Sequence, residues 1–215
     1  MAIWVDDLII AGKRMENIEV LKGQLRKEFE MKDMGMLKYF LGMQVHRDRA
    51  NRQIFLHQTS YINSILGKFD MGNCNPVTTP MATGTVLYKA TEKDKVLEDP
   101  REYQSLIGSL MYAMLCTRPD LAYAVSQLSQ FNNAPTQTHF QTAKRVLRYL
   151  KGTADVGITF SGSDANGLEL KMYCDADWGN GEDRERVNWH ICWHSGWRYS
   201  FIQSGKTTHS FYVKH

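Results

Sequence analysis

The chain has 215 residues, of which 43% are hydrophobic and 23% are charged, and its formal net charge is +3 at pH 7. Such a chain is long enough to bury a core, as globular proteins do. No apolar run approaches the ~18 residues of a membrane span, and no basic segment followed by an apolar stretch opens the chain, which excludes a membrane helix and a secretory signal. We therefore expect an intracellular protein, cytoplasmic or nuclear, that has no membrane partner.

The first predicted elements are a hairpin and a helix. Apolar residues 3–5 and 8–12 flank Asp6 and Asp7, a pattern that predicts a β-hairpin with two carboxylates at its tip. Apolar residues then recur every three or four positions, which predicts an amphipathic helix over 15–30.

A second hairpin and a second helix are predicted next. Strand-like runs at 37–45 and 53–56 flank a polar turn at 47–52 that contains three arginines. A helix is predicted over 60–69. The arginines of the turn either contact phosphates or form an exposed hairpin tip.

The middle of the chain predicts a connection and three helices. Residues 72–100 are rich in Pro, Gly, Thr and Asn, as long connections are. Apolar positions spaced by three and four predict helices over 101–115, 119–131 and 136–150. We expect the aromatic side chains of these helices to pack in the core. They are Tyr112, Tyr123, Phe131, Phe140 and Tyr149.

After Gly152 the pattern changes to that of strands. Runs at 156–160 and 168–174 flank a turn-rich segment and predict an antiparallel pair that begins a new domain.

The adjacent carboxylates Asp6 and Asp7 admit two interpretations. Like charges side by side repel unless they are solvated or bound to a cation, and Mg²⁺ prefers such oxygen ligands. The alternative is an ordinary surface turn, for which Asp is a favoured residue.

A cationic row is predicted on the last helix. Lys144, Arg148 and Lys151 lie on one face at i, i+4 and i+7, with Arg145 adjacent. This row either follows nucleic-acid phosphates or is a solvated helix face.

Several ordered blocks resemble the copia-type retrotransposon polymerase polyprotein. The segment Trp4-Val5-Asp6-Asp7 resembles the Tyr-Val-Asp-Asp hairpin of reverse transcriptases, with Trp in place of Tyr. The further blocks that follow the family pattern in order are residues 29–35, 37–42, 56–61, 103–112, 117–125 and 144–153.

The resemblance implies roles for particular residues. Asp6 and Asp7 resemble the palm carboxylates that hold catalytic Mg²⁺. The segment that begins at Phe40, Leu41 and Gly42 resembles the hairpin that grips the primer end. The family's first catalytic aspartate is expected upstream of this hairpin, so we expect polymerisation to require a further segment.

A second acidic site is implied near the end of the chain. Residues 173–179 resemble the first strand of the copia-type ribonuclease H domain, with Asp175 at the position of its first Mg²⁺-binding carboxylate.

The composition changes after this point. Residues 187–215 contain three of the five tryptophans and four of the seven histidines but no acidic residue. Because a Trp codon read one base later encodes Gly, a frameshift near residues 184–188 would explain the change, and the tail is predicted to be out of frame.

The resemblance implies an α+β fold. Partial reverse-transcriptase palm hairpins are followed by a helical thumb and connection, and then by an incomplete ribonuclease H-like β-sheet. The expected divisions are a palm and primer-grip-like hairpin with the first thumb helix at 1–70, a linker at 71–100, a helical thumb and connection at 101–153, the start of ribonuclease H at 154–186, and the tail at 187–215.

The function implied is that of a fragment of an RNA-directed DNA polymerase and ribonuclease H, with Mg²⁺ as cofactor and a template–primer or RNA–DNA hybrid as partner. A non-catalytic hybrid-binding module and an inert pseudogene product are the alternatives.

Overall fold

A computed structural model describes residues 1–91 and 94–162, together with the backbone of strands at 170–178, 187–195 and 199–207. It divides the chain into two compact units, Met1–Phe40 and Leu41–His215.

The first unit contains the predicted hairpin and helix. Strand β1 (Ala2–Trp4) pairs antiparallel with β2 (Asp7–Ile9), helix α1 covers Met15–Glu28, and a short strand β3 covers Tyr39–Phe40. The hairpin and the helix are confirmed, and the helix ends two residues before the predicted end. No residue of this unit is fully buried, so its apolar side chains form no enclosed core of their own.

Three antiparallel strands of the second unit lie side by side. They are β4 (Met43–Asp48), β5 (Gln53–His57) and β6 (Gly157–Ser161). The hairpin of β4 and β5 is confirmed, with its first strand beginning later than predicted.

The predicted partner of β6 is wrong. It pairs with β5, from Gln53 opposite Ser161 to His57 opposite Gly157, whereas the next strand, β7 (Leu170–Trp178), pairs with β8 (Val187–Ser195). Residues 157–161 therefore extend the sheet of β4 and β5. Strand patterns show that a segment is extended but not which distant strand it joins.

Four α-helices supply the core of the second unit. They are α2 (Thr59–Lys68), α3 (Arg101–Cys116), α4 (Ala122–Ser129) and α5 (Gln137–Gly152). Their apolar stripes face one another because residues three and four apart share a helix face. Leu106 and Leu110 of α3, Leu128 of α4 and Leu147 of α5 are all fully buried. A 3₁₀ turn, Pro119–Leu121, begins the helix predicted over 119–131, because proline has no N–H to donate and fits a first turn.

One predicted core aromatic is wrongly placed. Tyr123 is 52% exposed, whereas Phe131 and Phe140 are each 8% exposed. Helical spacing does not show whether a residue at the edge of an apolar stripe is buried or exposed.

The proline-rich connection packs against this same core. Met71, Met81, Leu87 and Leu97 are partly buried against the helices on both sides of it. The connection therefore contributes apolar side chains to the core of the helices.

His139 ties the connection to the start of α5. Its Nδ1 accepts a hydrogen bond from the Thr136 backbone N–H at 3.0 Å, so Nε2 carries the proton that is donated to the Tyr88 carbonyl, also at 3.0 Å. The ring stacks on Phe131 at 4.0 Å and is 2% exposed. Burial lowers the pKa of His139, because desolvation disfavours the charged ring.

Only the backbone is described beyond residue 169, in strands β7, β8 and β9 (Tyr199–Thr207), with β8 between the other two. The predictions for the Asp175 carboxylate and for the out-of-frame tail concern side chains and segments outside the described residues. In the part of the chain that the structure describes, no helix is long and apolar enough to cross a membrane.

Candidate functional site: an acidic hairpin and a cationic helix

The acidic hairpin of the first unit turns through two residues, Val5 and Asp6, while Trp4 pairs with Asp7. Val5 has φ of +49°, a left-handed conformation that is costly for a β-branched residue. Two-residue hairpin loops require such positive φ values, so the strain follows from the tightness of the turn. Asp6 and Asp7 are both exposed as a result.

These two carboxylates suit Mg²⁺ in chemical type. Mg²⁺ takes hard oxygen ligands and is usually bound by one or two carboxylates, with water and substrate phosphates completing its shell. In the described residues, no group of three or more potential metal ligands is present. The pair by itself can therefore supply only part of a magnesium shell.

The turn at Leu41 and Gly42 is fixed on α3. Both residues have positive φ, +47° and +71°, and the Tyr112 hydroxyl donates a hydrogen bond to the Leu41 carbonyl. A Cβ at position 42 would lie 2.6 Å from that hydroxyl oxygen, so only glycine fits there. Tyr112 in turn packs edge-to-face on Tyr61, with ring centroids 4.8 Å apart. Residues 41 and 42 therefore form a supported turn.

The cationic row of the second unit lies on α5. Lys144, Arg145, Arg148 and Lys151 are all partly buried, and none of them forms an ion pair with a carboxylate in the described residues. Lys144 lies over the Phe140 ring, with Nζ 4.5 Å from its centroid. Four positive charges on one helix thus have no neutralising partner in the described part of the unit.

Three cations of this row hold the chain segment at residues 72–79, which we call the strap. Lys151 Nζ donates to the Gly72 carbonyl, Arg148 Nε to the Asn75 carbonyl at 2.7 Å, and an Arg145 terminal nitrogen to Thr79 Oγ1 at 3.0 Å. These acceptors are neutral, so the charges persist. The side chains also retain further N–H donors.

A buried polar junction lies at the end of α5. Arg118 is fully buried, and its guanidinium donates two hydrogen bonds to Asp120, at 3.0 and 2.7 Å. It also donates to the carbonyl and hydroxyl oxygens of Thr153, at 2.7 and 2.8 Å. The Tyr149 hydroxyl donates to Asp120 at 2.9 Å. Burial, and then the Asp120 carboxylate, raise the pKa of Tyr149, so it stays protonated.

The same junction includes the start of α2. Thr117 Oγ1 donates to the buried Gln58 side-chain oxygen at 2.8 Å, and Thr59 Oγ1 donates to the Ala154 carbonyl at 3.0 Å. Three of the blocks that carried the family resemblance therefore meet here, from residues 56–61, 117–125 and 144–153. Sequence reasoning missed this junction. Its signal was an Arg and an Asp two residues apart in an otherwise apolar block.

The predicted site residues are divided between the two units. Asp6, Asp7 and Phe40 belong to the first unit, and Phe40 is the half-buried last residue of β3. The remaining predicted residues belong to the second. They are Leu41, Gly42, Lys144, Arg148, Lys151 and Asp175. Asp175 lies on β7 opposite His190 of β8 in the backbone register. The three α5 cations share one helix face, as predicted, and the roles assigned to all these residues stay predictions.

Comparison with known proteins identifies relatives over most of the chain. The family model for reverse transcriptase (RNA-dependent DNA polymerase) matches residues 1–83. The retrovirus-related Pol polyprotein from transposon TNT 1-94 of Nicotiana tabacum is 43% identical over 183 residues, which are 82% of this chain and 13% of that protein. The Pol polyprotein from transposon RE1 of Arabidopsis thaliana is 40% identical over 194 residues, 89% of this chain and 13% of the relative.

A shorter relative is covered more fully. An uncharacterized mitochondrial protein of Arabidopsis thaliana is 34% identical over 192 residues, which are 89% of this chain and 77% of that protein. No solved structure matches the chain. The chain spans about an eighth of the length of the TNT 1-94 and RE1 polyproteins that it matches.

Proposed function

Because the chain belongs to the reverse transcriptase family of copia-type retrotransposon Pol polyproteins, we propose that it works within an RNA-directed DNA polymerase, where it binds the template–primer. In this proposal the hairpins of residues 1–57 belong to a palm and primer grip, and helices α2 to α5 to a thumb and connection. The ribonuclease H assignment then applies to residues 154–186, with Asp175 as a magnesium ligand.

The observation that carries this proposal is the cationic row of α5. Nucleic-acid binding depends on positive charges that neutralise phosphates and release counterions. A solvated helix face of ordinary type mixes charges of both signs, whereas α5 contains no acidic residue from Gln137 to Gly152. The row therefore presents the charge that a phosphate backbone requires, on a helix anchored in the core by Val146, Leu147 and Leu150.

Asp6 and Asp7 contribute the metal chemistry in this proposal. Asp6 and Asp7 would hold Mg²⁺, which would supply activation of the attacking hydroxyl and stabilisation of the leaving group in nucleotidyl transfer. The chain's own part is to present two carboxylates, Asp6 in the two-residue turn and Asp7 directly after it. A further carboxylate from another segment of the polymerase would complete the set of ligands.

The proposal is tested by replacing Lys144 and measuring the affinity of the chain for an RNA–DNA hybrid. This side chain donates no hydrogen bond to the strap, so Lys144→Gln removes one charge without releasing the strap. We expect about 2- to 5-fold weaker binding to an RNA–DNA hybrid at low salt, the effect of losing one exposed charge contact. The plot of log affinity against log salt concentration should also become shallower by about 0.9 at most, the slope per phosphate.

Lys27→Gln is the matched control, because Lys27 is an exposed lysine of α1 with no hydrogen-bonding partner in the described residues. Equal losses in the two variants would mean that the row has no special role. No binding of the wild-type chain at low salt would overturn the proposal and favour an inert product.

The carboxylates are tested by nucleotide incorporation. The full chain would be mixed with a separately supplied upstream polymerase segment, template–primer and MgCl₂, and primer extension measured. Asp6→Asn and Asp7→Asn should each abolish extension while leaving hybrid affinity unchanged. Extension that survives both substitutions would remove these residues from the site.

A non-catalytic hybrid-binding module is the second candidate. It is favoured because Asp6 and Asp7 belong to no group of three or more potential metal ligands in the described residues. Salt-dependent hybrid binding without any extension, even with the upstream segment present, would identify this function.

A further inference from the structure

We propose that the strap is an internal competitor of nucleic acid, which occupies the α5 cations until phosphates displace it. This inference rests on the proposed function, because it assigns a regulation to the same cationic row. It makes the affinity of the row depend on a segment that need not touch nucleic acid itself.

The strap covers the row in register. Along the helix, Arg145, Arg148 and Lys151 follow one another at steps of three residues, and their acceptors are Thr79, Asn75 and Gly72, in the opposite chain direction. The strap therefore runs antiparallel to α5 and places one oxygen acceptor at each of three cations. A phosphate backbone that drew these three side chains to itself would compete with the strap for them.

The strap has little else to hold it. Met71 before it and Met81 after it pack on the core, but no residue from 72 to 79 is among the hydrophobic residues of the core or those packed against it. Most of its residues are exposed, with only Cys74 and Val77 partly buried. A segment fixed by polar contacts at the surface opens at low free-energy cost compared with a segment of the core.

Phosphate is the stronger ligand for these cations. Hydrogen bonds between two ionised groups are shorter and stronger than those from a cation to a neutral carbonyl. In the closed arrangement Arg145 Nε is also buried without a hydrogen-bond partner in the described residues. An unsatisfied buried donor destabilises that arrangement.

Gly152 offers a way to lift the strap without changing any charge. A Cβ at this position would lie 3.0 Å from Pro76 Cβ, so a larger side chain must push the strap away from α5. In Gly152→Leu we expect about 3- to 10-fold tighter hybrid binding and a steeper salt dependence, because more phosphates reach the row. Gly23→Leu is the matched control, since Gly23 is a helical glycine with open space around it.

Chemical modification of a cysteine measures how often the strap opens in the wild-type chain. Cys74 lies in the strap, and its rate of modification by a maleimide can be followed by peptide mass spectrometry with and without saturating RNA–DNA hybrid. Competition predicts faster modification of Cys74 when hybrid is bound, and faster modification in Gly152→Leu without hybrid.

Each outcome supports or overturns the competition between the strap and the hybrid. Hybrid that binds but leaves the Cys74 rate unchanged, or lowers it, overturns the competing strap and leaves the proposed function standing. Hybrid that does not bind at all overturns both. Tighter binding in Gly152→Leu together with faster Cys74 modification supports the strap.

Discussion

Replacing Arg118 should destabilise the second unit more than any surface substitution. Arg118→Met keeps much of the side-chain volume but removes four hydrogen bonds, two to Asp120 and two to Thr153. Breaking a buried ion pair from one side costs about 3–5 kcal/mol. The Asp120 side chain is 35% exposed and can be solvated once its partner is gone, so we expect a loss near the lower end, about 3 kcal/mol.

Urea unfolding followed by the helical circular dichroism signal measures this loss. With a slope of about 2 kcal/mol per molar urea, a loss of about 3 kcal/mol lowers the midpoint by about 1.5 M. Arg47→Met is the control, because Arg47 is exposed and has no ion-pair partner in the described residues; its midpoint should change by less than the equivalent of about 0.5 kcal/mol.

Asp120→Asn separates charge from packing. This change leaves the fully buried guanidinium without its counter-ion, so the loss should equal or exceed that of Arg118→Met. The reasoning is refuted if Arg118→Met unfolds within about 0.5 kcal/mol of the wild-type chain.

Other features of the second unit yield further predictions. Gly42→Ala should lower the free energy of unfolding in urea by about 2–3 kcal/mol, because position 42 combines a positive φ with a clash against Tyr112. Gly35→Ala has a similar φ and no neighbour within 4 Å, so it should lower this free energy by only about 1 kcal/mol. Equal losses in the two variants would show that the clash is relieved without cost. His139 is held neutral, and the unfolded chain takes up its proton more readily, so stability is retained above about pH 6.5 and falls as the pH drops below that value. Urea midpoints at about pH 7.5 and 5.5 should differ less in His139→Gln than in the wild-type chain, and an unchanged difference would mean that another group titrates. Leu106→Ala should cost about 2–5 kcal/mol, because Leu106 is fully buried, and a change below about 1 kcal/mol in the urea midpoint would place Leu106 outside the core.

The sequence by itself determined the order and type of most elements. Apolar residues three and four apart specified α2 through α5, and the Asp-Asp turn between apolar runs specified the first hairpin, because these patterns reflect local geometry. The ordered blocks identified the family for a related reason. Many positions have to match at once, so chance agreement is rare.

The candidate site was predictable only as a set of residue types. Helical periodicity placed Lys144, Arg148 and Lys151 on one face, and adjacency placed Asp6 beside Asp7. Neither pattern contains information about acceptors distant in the chain. The strap that Arg148 and Lys151 hold lies more than 70 residues earlier.

Only the tertiary structure decided the long-range partners. It paired β6 with β5 across about 100 residues of chain, buried Arg118 between Asp120 and Thr153, and laid the proline-rich connection on the core. Local sequence fixes which backbone conformations are favourable. Which surfaces meet depends on how all the apolar faces are buried together, and that is a property of the whole chain.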